Sequence, residues 1–206
     1  MVVIGLTGGI GTGKTEVSRL LQGLGAKVIE ADTVGHDAYL PHTDGWREVV
    51  AAFGEQVLAP DGTVDRGRLG ALVFRDPQAR DRLNAILHPR MFRMMQERIQ
   101  TLKSQGVQVI VVEAALLIEA GWTPLVEEVW VTVAPQEEVV RRLRGRSGLT
   151  EEEVRARIRA QLPQEERVRQ AHVVIDNSGG IDHLRRQVEY LWKTRVEPKV
   201  VQNGGG

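Results

Sequence analysis

Apolar and polar positions alternate between two periods along this chain. Val2-Val3-Ile4-Gly5-Leu6 is a short unbroken apolar run, the pattern of a strand buried on both faces. After a glycine-rich turn, Val17, Leu20, Leu21 and Leu24 recur at i, i+3, i+4 and i+7, which predicts a helix stopped by Gly25. The strand pattern returns at Lys27-Val28-Ile29, Val107 to Val112, Val129 to Val133 and Val173-Val174-Ile175, the last closed by the turn-rich Asp176-Asn177-Ser178-Gly179-Gly180. Strands spaced by helices predict a parallel, doubly wound α/β sheet of five strands.

From about 33 to 105 the rhythm changes to helices alone. Trp46, Val49, Val50 and Phe53 share a face that ends at Gly54, and Leu69, Leu72 and Val73 share another that ends before Asp76-Pro77. Leu83, Ile86 and Leu87 form a third, then His88-Pro89 predicts a break before a further helix through Ile99. A helical insertion at this point of an α/β fold shapes a substrate site. Leu184, Val188, Leu191 and Trp192 predict a closing helix, and 204–206 a disordered glycine tail.

Composition narrows the functions. A chain of 206 residues is one domain, or one domain carrying a modest insertion, with room for a real core. Lys plus Arg is 27 and Asp plus Glu is 27, so a polyanion-coating or polybasic membrane-binding role is excluded, and no nucleic acid is expected as partner. Cysteine is absent, which removes disulfides and thiolate chemistry. No apolar run reaches a membrane span, and the opening MVVIGLTGG has no cationic leader, so a cytoplasmic location is expected. Arginine supplies 22 of the 27 cations, and nine of these lie between Arg141 and Arg169, against five acids there. Arginine's planar fork suits phosphates.

Residues 8 to 15, GGIGTGKT, satisfy the phosphate-loop pattern G-x-x-x-x-G-K-[ST]. Glycines allow backbone N–H groups to turn toward phosphate oxygens, and the following helix aims its positive end at them. Lys14 adds a cation and Thr15 a hydroxyl for Mg²⁺. Gly8, Gly9, Gly11, Thr12, Gly13, Lys14, Thr15 and Glu16 are therefore candidate contacts for ATP. Asp32 and Glu113 stand at the ends of two other strands, where open α/β sheets place their ligands. Asp32 is a candidate base for an attacking hydroxyl, a further candidate metal group, or a helix cap. Glu113 either completes a metal site or orients the loop or a substrate.

Beyond the fourth strand, Arg142 and Arg146 are four apart on one helix, and Thr150-Glu151-Glu152-Glu153 is a capping box opening another that carries Arg155 and Arg159. Two short arginine-lined helices suit a mobile lid over a transferring phosphoryl group. The histidines at 36, 42, 172 and 183 show no metal-ligand spacing.

The chain resembles the dephospho-CoA kinases along almost its whole length. IGLTGGIGTGKTEV, EADTV, RGRLGALVFRDPQARDRLNAILHPRM, EAALLIEAG and LRGRSGLTEEEVRARIRAQLPQEERVRQAHVVIDNSG carry the resemblance. It implies a three-layer P-loop fold with a core of 1–32, 106–134 and 170–203, an acceptor-binding insertion at 33–105 and a lid at 135–169. It further implies ATP- and Mg²⁺-dependent phosphorylation of the ribose 3′-hydroxyl of dephospho-CoA by a monomer or weak homo-oligomer. Asp32 matches the base, with Lys14, Arg142 and Arg146 completing the catalytic set. Asp176 and Asn177 match the segment near adenine, while His88, Glu113, Leu116 and Leu117 match the acceptor region. Glu30, Ala114-Ala115, Ser147 and His172 depart from the family's usual residues without removing a group that has a role.

Overall fold

Every strand runs the same way, because a helical crossover returns the chain before each new strand begins. In the computed structural model, which describes residues 1–203 except the side chains of Arg146, Ser147 and Asn203, five strands form one parallel sheet. The expected tail at 204–206 lies outside the described residues. The strands are β1 (Val2–Gly8), β2 (Lys27–Glu30), β3 (Val109–Glu113), β4 (Glu128–Val133) and β5 (Val173–Asp176), in the spatial order β2-β3-β1-β4-β5. Pairing on both sides of β1 puts Leu6 opposite Glu113 and Gly8 opposite Thr132. Whatever follows Gly8 thus emerges between the carboxyl ends of two neighbours, where such sheets bind ligands.

The chain divides into two compact units, 1–30 with 99–206, and 31–98. In the first, Val2, Ile4 and Leu6 of β1 alternate onto one face with Val109, Val111, Trp130, Val173 and Ile175. Against that face pack Val17 and Leu21 of α1 (Lys14–Gly23) and Leu184 and Val188 of α9 (Gly180–Leu191). Between β4 and β5 lie α6 (Gln136–Ser147), α7 (Glu151–Arg159) and α8 (Gln164–Arg169). After α9 a π turn at Trp192–Val196 leads into α10 (Glu197–Asn203).

The second unit holds α2 (Ala31–Asp37), α3 (Asp44–Phe53), α4 (Arg66–Arg75) and most of α5 (Pro77–Ser104) around a core that includes Val49, Phe53, Leu69 and Leu87. Its starts are capped locally: the Thr43 hydroxyl accepts from Trp46 N at 3.1 Å, and Asp65 Oδ1 accepts from Gly67 N and Arg68 N at 2.9 and 3.1 Å. One expectation fails here. His88-Pro89 does not interrupt the chain, since α5 is a single helix of 28 residues with Pro89 inside it. Proline removes one donor and pushes the carbonyls of the preceding turn outward. Arg90 Nη1 donates to the Ile86 carbonyl at 2.9 Å, supplying a donor to that disturbed turn. Among the described residues no helix is long and apolar enough to cross a membrane.

Glu128, at the start of β4, is buried and ties the C-terminal segment to the sheet. It accepts from Trp130 Nε1 at 2.8 Å, from Arg195 Nη2 at 3.0 Å and from Lys199 Nζ at 2.5 Å. Burial pushes its pKa up, but these donors outweigh burial and hold it at about 2. A carboxylate depressed in the fold stabilises it above the unfolded value and loses that contribution as pH falls toward the folded one. Urea unfolding should therefore show a loss of about 2–3 kcal/mol between pH 5 and pH 2 that Glu128→Gln, already weakened at neutral pH, largely lacks. Equal acid sensitivity in both proteins would contradict this assignment.

Candidate functional site

The loop after β1 is held by close approach. At Gly13 (φ +100°) a Cβ would overlap the Asn177 amide, whose Nδ2 donates to the Thr12 carbonyl at 2.9 Å. At Gly8 a Cβ would overlap the Thr132 side chain. Glycine is required at both, so β4 and the β5–α9 loop can press directly on residues 8–15. Thr12 Oγ1 lies 2.7 Å from Thr132 Oγ1 and 2.8 Å from the Gly9 carbonyl. No side chain caps α1 at Gly13, which leaves its positive end suited to an anion.

Lys14 curls over this loop, with Nζ 2.8 Å from Gly8 O and 3.3 Å from Gly9 O. Thr15 Oγ1 donates to Glu113 Oε1 at 3.4 Å, which brings the hydroxyl and the carboxylate from two elements together. Both are hard oxygen donors, the chemistry Mg²⁺ accepts when phosphates and water complete its shell. Glu16 pairs with Arg19 at 3.3 Å on the surface of α1. Asp176 Oδ1 and Oδ2 accept from Ser178 N and Oγ at 3.0 and 2.9 Å, which shapes the loop that carries Asn177.

Arg141, Arg142, Arg144, Arg155 and Arg169 pair with acids of the same segment, 135–169. Arg142 Nε donates to Glu138 at 2.9 Å, and its Nη2 donates to the Asn177 carbonyl at 2.8 Å. Arg155 bridges Glu137 and Glu151, both at 2.9 Å. The box at Thr150 is reciprocal, with Glu153 N donating to Thr150 Oγ1 and Thr150 N to Glu153 Oε2. Arg146 belongs to α6, but its side chain lies outside the described residues.

Two residues that sequence reasoning missed join this segment to the loop and to the chain after β3. Gln161 Oε1 accepts from Ile10 N at 2.8 Å. Arg167 is 2% exposed; its Nη2 donates to Glu119 at 2.6 Å and its Nη1 to the Leu162 carbonyl at 2.7 Å. With Gly9, Ile10 and Arg159 they line a cavity of about 380 Å³. No local signal marks them: Arg167 sits in the run Glu165-Glu166-Arg167, which reads as solvated, and its acid is 48 positions away.

The other predicted residues scatter. Leu117 is fully buried, and a Cβ on Gly5 would lie 2.5 Å from its Cδ2, whereas Leu116 is 38% exposed. Leu117 therefore packs the sheet. In the second unit, Asp32 stands in the first turn of α2 and is among the residues lining a cavity. His88, half-buried on α5, has its pKa lowered by burial. That cavity is lined by its neighbours Leu87 and Met91 rather than by His88.

Comparison with known proteins finds relatives along almost the whole chain. The family model for dephospho-CoA kinase matches residues 2–183. A Geobacter sulfurreducens dephospho-CoA kinase is 48% identical over 195 residues, which cover 95% of this chain and 99% of that one. Among solved structures, a Thermus thermophilus protein is 36% identical with a TM-score of 0.79 over 94% of this chain and 97% of its own. A Campylobacter jejuni dephospho-CoA kinase is 25% identical with a TM-score of 0.72 over 96% and 98%.

The close approach at Gly13 predicts that Gly13→Ala costs about 1–3 kcal/mol of stability and weakens ATP binding at least tenfold. Urea unfolding and titration calorimetry measure the two. Adding Asn177→Ala should restore part of the stability, and an unaltered Gly13→Ala protein would show that the contact is not required.

Proposed function

The chain belongs to the dephospho-CoA kinase family, and we propose that it transfers the γ-phosphoryl group of ATP to the ribose 3′-hydroxyl of dephospho-CoA in the cytoplasm, giving coenzyme A and ADP. The observation that carries this reading is a phosphate loop wedged at the end of the central strand, within a chain that matches the family through the loop, the insertion and the lid alike.

On this reading the backbone and Lys14 hold the β- and γ-phosphates, with Lys14 exchanging its Gly8 carbonyl for phosphate oxygen. When bound, Mg²⁺ supplies charge neutralisation across these phosphates, and Thr15 and Glu113 would hold it. Asp32 accepts the proton of the 3′-hydroxyl as its oxygen bonds to the γ-phosphorus and the bond to the leaving ADP oxygen breaks. Asp32 is suited to this because it lines a cavity from the first turn of α2. Arg142 and Arg146 neutralise the transferring group, for which Arg142 must give up the Asn177 carbonyl. Asp176 and Asn177 border the adenine, and the described bond from Asn177 to Thr12 keeps their loop against the phosphates. The helices of 135–169 exclude water when they close.

A coupled ADP-release assay tests the reading. Dephospho-CoA should support turnover far above AMP, adenosine or water alone; preference for AMP, or equal release without acceptor, would overturn it. Asp32→Asn should lower kcat by about 10²–10⁴-fold while ATP affinity stays within about threefold. Near-normal turnover in that variant would remove Asp32 from proton transfer.

A further inference from the structure

A side-chain amide from the turn between α7 and α8 rests on the phosphate loop. Ile10 N donates to Gln161 Oε1 at 2.8 Å. A backbone N–H can only donate, so the atom that faces it is the oxygen of this amide, and the nitrogen is the other end. Nε2 carries two further N–H donors, and among the described residues nothing accepts from them. Because the amide group is planar and small, fixing its oxygen on Ile10 keeps those donors beside the loop as well.

Gln161 is held in this position from behind. Arg167 Nη1 donates to the carbonyl of Leu162, the next residue, at 2.7 Å, and Arg167 Nη2 donates to Glu119 at 2.6 Å. A chain of polar contacts thus runs from Glu119 through Arg167 and the backbone at 162 to Gln161 and the loop. A Cβ on Gly9 would lie 3.6 Å from Gln161 Oε1 and 3.7 Å from Arg167 Nη1, so both side chains reach over the same loop residue. With Gly9, Ile10 and Thr12 they line the cavity of about 380 Å³ described above. An anion cradled by the N–H groups of the loop is bounded on this side by an amide whose uncommitted end can only donate. That polarity suits a phosphoryl oxygen.

We propose that Gln161 is a further catalytic residue: its oxygen stays on the Ile10 N–H while its Nε2 donates to an oxygen of the γ-phosphoryl group. The inference rests on the proposed activity for the identity of the transferred group. Arg167 and Glu119 are then positioning residues, which act by holding the backbone next to Gln161. A donor fixed before the reaction needs no reorganisation as the phosphoryl group moves, the condition under which such a contact lowers a barrier. The contact also separates the two nucleotides, since ADP has no γ group to receive it.

Gln161→Glu and Gln161→Ala test the two ends of the amide separately. Glutamate keeps an oxygen for Ile10 N but has no donor when ionised, and alanine has neither. Gln161 is half-buried, and both variants should keep the circular dichroism spectrum of the wild type. With dephospho-CoA, kcat should fall about 10–100-fold in both. Calorimetry with Mg²⁺ present should show adenylyl imidodiphosphate, an ATP analogue with a γ group, binding about tenfold more weakly to both variants, while ADP stays within about threefold of wild type. A Gln161→Glu protein equal to wild type in kcat and analogue binding would show that only the oxygen matters. Equal weakening of the analogue and ADP would reduce Gln161 to an anchor of the loop, and tighter analogue binding by Gln161→Ala would make it a group that phosphate displaces. Each of these three results overturns the contact. A wild type inactive on dephospho-CoA overturns the activity instead, and the comparison of analogue with ADP then still decides the contact.

Discussion

The close packing at the end of β1 is the constraint on which the rest depends. Because β3 and β4 flank β1, the chain after Gly8 must turn within the width of two strands, and β4 leaves no space for a side chain at Gly8. The same crowding recurs at Gly13, where Asn177 fills the volume a Cβ would need. A loop fixed this way has its N–H groups oriented by the sheet before any anion arrives, so little ordering cost is left for binding. The sheet's hydrophobic alternation and the loop's phosphate chemistry are thus one arrangement: the strand pattern sets where the loop emerges, and the glycines let it be compressed.

The region 135–169 is attached to that loop and to its surroundings by a few contacts. Gln161 accepts from Ile10 N, the buried Arg167 pairs with Glu119, and Arg142 reaches the Asn177 carbonyl. Arg167 is a buried guanidinium that loses its carboxylate partner if Glu119 is removed, so the two form the anchor of this segment. The exposed pairs of Arg144, Arg155 and Arg169 with nearby glutamates are worth little each and can exchange partners readily. A segment that is firm at its base and loosely paired along its surface is suited to close on a phosphoryl group, as the proposed mechanism requires.

Much of this was legible in the sequence because the signals are local. The strands announced themselves as apolar runs, the loop as a spaced pattern of glycines with Lys14 and Thr15, and the helix at Thr150 as a box four residues long. Contacts between distant positions were not legible. Arg167 and Glu119 look like surface charges until folding joins them, and Gln161 carries no signature beyond preceding Leu162-Pro163. Pro89 misled for the opposite reason: proline is a strong local signal, yet the packing of Leu87 and Met91 within the second unit's core keeps α5 continuous. Leu117 reads like any apolar residue near a strand end, and only the contact with Gly5 assigns it to the sheet.

Regiochemistry tests the central claim most directly, because it asks where the phosphoryl group goes. Phosphorus-31 NMR of a reaction containing the wild-type protein, ATP, Mg²⁺ and dephospho-CoA should show the ATP γ resonance replaced one for one by a phosphomonoester coupled to the ribose H3′. Inorganic phosphate in place of that signal, or a phosphomonoester at the 2′ position or on the pantetheine arm, would contradict it.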